Sequence, residues 1–152
     1  MAHSNVRLWI HAVFAIKYRE AQILPSIEPE VHRLLFDQLV ATGCFVDCMN
    51  GIPDHIHLLF RLNPKRSVAE VIGTIKGGSS HSINQSDLLP TKFAWQNGYS
   101  AFSVSESKIP IVRRYIERQK VHHLGEDFAQ ELAWLERLHG ILPDGSPPDS
   151  QG

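Results

Sequence analysis

His55-Ile56-His57 and the distant Tyr115 are the residues whose types and spacing could do chemistry. Side chains alternate between faces along an extended strand, so His55 and His57 project side by side. Ile56, Leu58 and Phe60 point the other way, where they can anchor in a core. Two imidazoles on one face form half of a divalent-metal site. Tyr115 lies in a second periodic segment, residues 111–119, where Gln119 follows four residues later on the same helical face. An open set of His55, His57 and the Gln119 side-chain oxygen leaves positions for phosphate oxygens and water, and suits Mg²⁺ or Mn²⁺. A cation beside a tyrosine points to phosphoryl transfer with Tyr115 as the nucleophile.

Each piece also has an ordinary explanation. Paired histidines on a strand face are commonly surface or core imidazoles, and a tyrosine on an amphipathic helix is commonly a core-edge residue with its hydroxyl in water. Zinc held by Cys44, Cys48, His55 and His57 is a competing metal site. It is disfavoured because structural zinc sites usually space their histidines about three to five residues apart.

The elements that must position these groups follow from apolar periodicity. Residues 8–16 read as a buried first strand. Ile27, Val31, Leu34, Leu35, Leu39 and Val40 keep helical spacing up to a stop at Gly43. Residues 44–49 form a second strand that carries Cys44 and Cys48 on one face, and a turn at residues 50–53 makes a hairpin with the histidine strand. Ser67 caps the next helix, with Glu70 completing a capping box. Val68, Val71, Ile72 and Ile75 mark its buried stripe, and it frays across the glycines of residues 76–81. Strand pieces are expected at 92–96 and 99–104. Ser105 or Ser107 then caps the tyrosine helix, with Pro110 in its first turn. The order β-α-β-β-α-β-α predicts an α+β fold: a ferredoxin-like split βαβ antiparallel sheet with helices on one face, plus a C-terminal tyrosine helix and a tail helix marked by Phe128, Leu132, Leu135 and Leu138. Residues 1–124 are read as the catalytic domain, 125–142 as a helical extension and 143–152, rich in Pro, Gly, Ser and Asp, as a disordered tail.

No apolar stretch approaches the roughly 20 residues that span a bilayer, and the first residues lack the layout of a secretion signal. Two cysteines are too few for a disulfide framework, so a reducing cytoplasm is expected. The formal net charge of −1 hides an uneven distribution: residues 1–125 carry +4 and residues 126–152 carry −5. The basic groups cluster at Arg61, Lys65, Arg66 and Lys76, then at Arg113, Arg114, Arg118 and Lys120, flanking the histidine strand and the tyrosine helix.

The combination of His55-Ile56-His57 with Tyr115-Ile116-Glu117-Arg118-Gln119 resembles the small single-tyrosine HUH transposases, the insertion-sequence-200-like (TnpA-like) enzymes and their REP-associated relatives. Residues 11–19, 76–80, 95–99 and 101–104 support the resemblance, which covers roughly residues 7–123. It implies a metal-dependent enzyme that nicks and rejoins single-stranded DNA at hairpin-bearing ends. By it, His55, His57 and Gln119 carry the cation and Tyr115 forms a 5′-phosphotyrosine intermediate, with no nucleotide cofactor. It also implies a homodimer in which the histidines of one subunit often work with the tyrosine of the other. Arg61, Lys65, Arg66, Lys76, Arg113, Arg114 and Arg118 become candidates for hairpin phosphate contacts. The rival expectation is an inactive or domesticated relative that binds nucleic acid as a dimer. No group in the sequence stands out as the base that would take the proton of Tyr115.

Overall fold

The computed structural model describes residues 4–122 and 128–139. Four strands, β1 (Trp9–Ala15), β2 (Phe45–Ile52), β3 (His55–Arg61) and β4 (Ser100–Val104), form one antiparallel sheet in the order β2-β3-β1-β4. This is the split βαβ order expected from the sequence. Helices α1 (Glu28–Ala41) and α2 (Val68–Gln85) cover one face, packing Val31, Leu35, Val71 and Ile72 onto Ile10, Phe14, Ile56, Leu58 and Phe60. The opposite face receives α3 (Ile109–Glu117), the short α4 (Gln119–His122) and α5 (Phe128–Leu138); Val112, Tyr115, Ile116 and Leu135 pack there on Trp9, Val13 and Leu59. The two faces of β1 and β3 thus carry a purely apolar core on one side and the histidines on the other. No helix among the described residues is long and apolar enough to cross a membrane.

Several local expectations are modified by packing. Helix α2 does not fray at its glycines but continues to Gln85. Gly78 faces Gln38 of α1 so closely that a Cβ would lie 2.3 Å from the Gln38 amide oxygen, so the glycine is there for helix approach rather than for a stop. Ser67 does cap α2 by accepting the Glu70 N–H at 3.1 Å, but the Glu70 carboxylate turns to Arg66 instead of closing the box. The tyrosine helix has no serine side-chain cap: Lys108 holds its N-cap position, after a 3-10 turn at Glu106–Lys108. The strand expected at 92–96 reduces to one isolated bridge, Ile16 to Trp95. That segment is fixed instead by side chains, since Asn84 makes two hydrogen bonds to the Phe93 backbone and the Trp95 indole donates to Ser79.

The two cysteines do not share a face. The ladder pairs Val46 with Phe60 and then Cys48 with Leu59, so Asp47 is an extra residue, a β-bulge. It inverts the alternation of β2. Cys44 and Val46 pack toward α1 and α2, whereas Cys48 packs toward the tyrosine helix. This separation removes the four-ligand zinc arrangement. Burial, reinforced by the Asp47 charge, pushes the Cys48 thiol up to about 12. Cys48 is therefore expected to resist maleimide labelling at pH 8 in the native protein and to react on denaturation; mass spectrometry after a timed pulse checks this.

Close approach also matters in the β2–β3 hairpin. A Cβ on Gly51 would lie 2.3 Å from the carbonyl oxygen of His55. Gly51→Ala is expected to cost about 1–3 kcal/mol in urea-melt stability, because backbone rather than a flexible side chain must yield.

Candidate functional site

Alternation delivers both histidines to the α3/α5 face, and both are fully buried. Their outward nitrogens are already engaged. His55 Nδ1 donates to the Asp54 carboxylate at 2.7 Å, and His57 Nδ1 lies 3.0 Å from His11 Nε2. The inward Nε2 atoms face the carboxylate of Glu131 on α5, at 3.0 Å for His55 and 2.8 Å for His57. The Tyr115 hydroxyl donates to the same carboxylate oxygen that faces His57. The tyrosine ring lies 5.6 Å from the His57 ring and stacks on Trp134 of α5 at 4.6 Å. His55, His57 and Tyr115 thus converge on the one carboxylate of Glu131.

Helix α3 is held in place by β2. The Asp47 carboxylate that the bulge supplies accepts two bonds from Arg113, each 2.7 Å, and Asn50 donates to the carbonyls of Ile116 and Glu117 at the end of the helix. The apolar stripe of α3 then fixes Tyr115 against the sheet. Gln119, the expected third ligand, opens α4 and is fully buried one turn beyond the tyrosine.

His55, His57 and Glu131 offer ligand atoms within 4.8 Å of one another. This arrangement fits a divalent ion on two counts. Ligand atoms about 2.1 Å from an octahedral ion lie about 3.0 Å apart, the separation seen between imidazole and carboxylate. The Nδ1 bond from His55 to Asp54 also has the carboxylate–histidine–metal form, in which the outer partner fixes the tautomer and turns the Nε2 lone pair inward. The charges of these groups are coupled. Accordingly, burial opposes the charge on His55, but the Asp54 and Glu131 carboxylates outweigh it and raise its pKa. Burial likewise opposes ionisation of Glu131, and the bonds from His55 and His57 overcome it, holding that carboxyl far below its ordinary range.

Sequence reasoning missed Glu131, Asp54 and His11. Glu131 had a signal: it lies three residues after Phe128 and four before Leu135, so it interrupts the apolar stripe of its helix with a charge. His11 is a fully buried imidazole within an otherwise apolar strand, and it bridges His57 and His139, whose Nε2 lies 2.8 Å from His11 Nδ1. Burial and the neighbouring imidazoles of His57 and His139 push His11 well down, and burial then Lys108 push His139 down to about 4. The proton order that leaves His57 Nε2 free has His57 Nδ1–H donating to His11 and His11 Nδ1–H donating to His139.

The basic candidates divide. Arg113 is committed to Asp47, Arg66 to Glu70, and Lys76 donates to the carbonyls of Gln96 and Gly98, both at 2.7 Å. The Arg61 guanidinium lies over the rings of Trp9 and Phe45. Lys65, Arg114 and Arg118 are exposed. Arg61, Lys65 and Arg66 sit at or beyond the end of β3 opposite His55; along the strand Arg61 is roughly 20 Å from His55 and roughly 13 Å from His57.

Comparison with known proteins places the chain in a family. The family model described as "Transposase IS200 like" matches residues 4–119. The transposase for insertion sequence element IS200 of Salmonella typhimurium is 30% identical over 132 residues, covering 84% of each chain. The ISDra2 transposase TnpA of Deinococcus radiodurans is 25% identical over 118 residues, covering 74% of this chain and 84% of its own. Among solved structures, one from Deinococcus radiodurans ascribed to a transposase superposes with a TM-score of 0.62 at 23% identity, over 78% of this chain and 98% of that one. A REP-associated tyrosine transposase bound to a REP hairpin superposes with a TM-score of 0.59 at 15% identity, over 98% of this chain and 93% of that one. These two likenesses speak for the fold, whereas the family match speaks for descent: the chain belongs to the IS200-like transposases.

Proposed function

We propose that this chain is a metal-dependent transposase that nicks and rejoins single-stranded DNA at hairpin-bearing ends through a 5′-phosphotyrosine intermediate. The observation that carries this reading is the convergence, in one buried cluster, of Tyr115 with two histidines whose Nε2 atoms face a shared carboxylate. His55 and His57, with Glu131 in the described state or Gln119 beside Tyr115, would hold Mg²⁺ or Mn²⁺. When bound, such an ion supplies Lewis-acid stabilisation of charge on the scissile phosphate. Tyr115 Oη attacks phosphorus, the 3′-oxygen leaves, and the phenolic proton passes to solvent. The bond energy is kept in the ester, so rejoining needs no nucleotide cofactor. Asp54 and His11 fix which nitrogen of each histidine faces inward.

The described state is closed. In-line attack needs the tyrosine oxygen about 3–3.5 Å from phosphorus, with phosphate oxygens toward the histidines. Glu131 fills that space, and Tyr115 is only 6% exposed beneath α5. DNA must therefore displace α5, and Gln119 is the group left to complete the ligand set once Glu131 withdraws. The homodimer implied by the family resemblance belongs to this reading as well. Arg61, Lys65, Arg66, Arg114 and Arg118 are the cations proposed for a hairpin stem. The two unpaired cysteines suit a cytoplasmic setting.

The reading is tested by incubating the protein with a pool of hairpin-bearing single strands, with Mn²⁺ and with EDTA. Expected is an SDS-stable protein–DNA adduct that requires the metal. Cleavage without an adduct would indicate a hydrolytic nuclease, and binding without cleavage a domesticated relative.

A further inference from the structure

Tyr18 departs from every structural expectation for an aromatic residue. It is 79% exposed, and its backbone lies in the left-handed region at φ 60°, ψ 15°. Arg19 follows at φ 56°, so two consecutive residues with side chains hold a conformation that normally falls to glycine or asparagine. Such outliers persist only where the surroundings impose them, and they cluster where a side chain must be presented. Here the constraint is visible. The Ile16 N–H bonds to the Asp54 carbonyl, Lys17 N–H to the Ala94 carbonyl, and the Arg19 guanidinium to the Asp54 carboxylate at 3.3 Å. Asp54 is the same residue that orients His55. The strained turn is therefore braced against the support of a site histidine, and it holds the Tyr18 ring out toward solvent.

The ring stands in a groove beside the end of β1, the strand next to the one that carries the histidines. Strand β4 pairs with β1 only as far as Val13, and the 94–96 segment takes up that edge again at Ala15 and Ile16, which leaves a break at Phe14. On the other side of β1, Val13 pairs with His57 and Ala15 with His55. A cavity of about 140 Å³ lies at that break, between Val13–Ala15 and the 96–100 segment. It shares Gln96 and Asn97 with a second cavity of about 500 Å³ that contains Lys17, Tyr18 and Arg19. The second in turn shares Lys17, Tyr18 and Ala94 with a third of about 250 Å³, bordered by Lys92 and by one carboxylate, Glu20. The wall opposite β1 is rigid: Lys76 grips the carbonyls of Gln96 and Gly98, and the Gln96 N–H bonds to the Ala15 carbonyl at 2.8 Å.

We propose that this groove takes the single-stranded DNA flanking the scissile phosphate, with Tyr18 as a stacking platform for an unpaired base, Gln96 and Asn97 facing base edges, and Lys17 and Lys92 on the phosphates. The proposal rests on the reading of the chain as a single-strand DNA enzyme. Its chemistry is that of single-strand recognition in general: an aromatic face for the base and cations along the backbone. The position supports it as well, because Tyr18 is three residues beyond the ladder partner of His55, at most about 10 Å of chain. The Lys17 ammonium, 5.4 Å from the Tyr18 ring centroid, is placed to accompany a stacked base.

The test is fluorescence anisotropy at low salt with labelled dT20 and with a strand of equal length whose bases are replaced by abasic sites. Tyr18→Ala is expected to weaken dT20 binding roughly 5- to 150-fold while leaving the abasic strand unchanged, and Tyr18→Phe to bind as wild type. Lys17→Ala and Lys92→Ala should each lower the salt dependence of binding by about 0.7 in log–log slope. Tyr18→Ala binding dT20 within twofold of wild type, or losing both strands equally, overturns the groove alone. A wild-type protein that binds neither strand overturns the groove together with the single-strand reading.

Discussion

Tyr115→Phe is expected to retain hairpin binding and to lose the covalent adduct, with the cleavage rate falling on the order of 10⁴- to 10⁶-fold, as when a catalytic nucleophile is removed. The substitution deletes one oxygen from a ring that packs among Val112, Ile116 and Leu135 and stacks on Trp134. The fold should therefore persist, and the thermal midpoint is the control. Binding should persist too, since the substitution removes none of the cations proposed for a hairpin stem. Gel-shift titration and SDS electrophoresis of the same samples separate the two properties. Undiminished adduct in Tyr115→Phe would remove this residue from the mechanism and direct attention to Tyr18 or Tyr99.

The second large effect runs in the opposite direction. Glu131→Ala is expected to raise the initial rate of adduct formation roughly 10- to 100-fold, because the closed state loses bonds to charged and hydroxyl partners each worth about 1.5–3 kcal/mol. Trp134→Ala should act likewise, though less strongly. It removes the stack on Tyr115 without touching a ligand, and at 42% exposure it leaves little of the core disturbed. The pair is informative together. If Glu131 were instead an obligatory ligand during cleavage, Glu131→Ala would abolish the adduct while Trp134→Ala left it intact. A direct check is metal titration of the adduct yield, since withdrawal of Glu131 leaves the ion to His55, His57 and Gln119.

How far the sequence reveals this site depends on the range of the interactions involved. His55 and His57 share a face by the parity of a strand, and Tyr115 and Gln119 share one by the four-residue step of a helix. Both relations are local and can be read from spacing. The strand order was legible for the same reason, as hairpin and crossover lengths leave few alternatives. The role of α5 is not local. Its amphipathic stripe announces a helix that packs somewhere, and only the tertiary structure shows that it packs over the histidines with Glu131 inward. The groove was hidden differently. Residues 92–96 have strand-like composition, but their backbone partners are the side chain of Asn84 and the end of β1, so periodicity misassigned them. The expected tail at 143–152 lies outside the described residues.

The bulge at Asp47 has a consequence for the ways in which this protein can vary. Because one extra residue inverts the alternation of β2, the first half of the strand serves the apolar core and Cys48 serves the tyrosine side. The extra residue is itself the carboxylate that grips Arg113. Substitutions along β2 trade one contact for another and can be absorbed singly. A one-residue deletion would both exchange the faces of part of the strand and cut the tether of the tyrosine helix. In this strand length is a heritable trait in its own right, more strictly held than the identity of most residues within it.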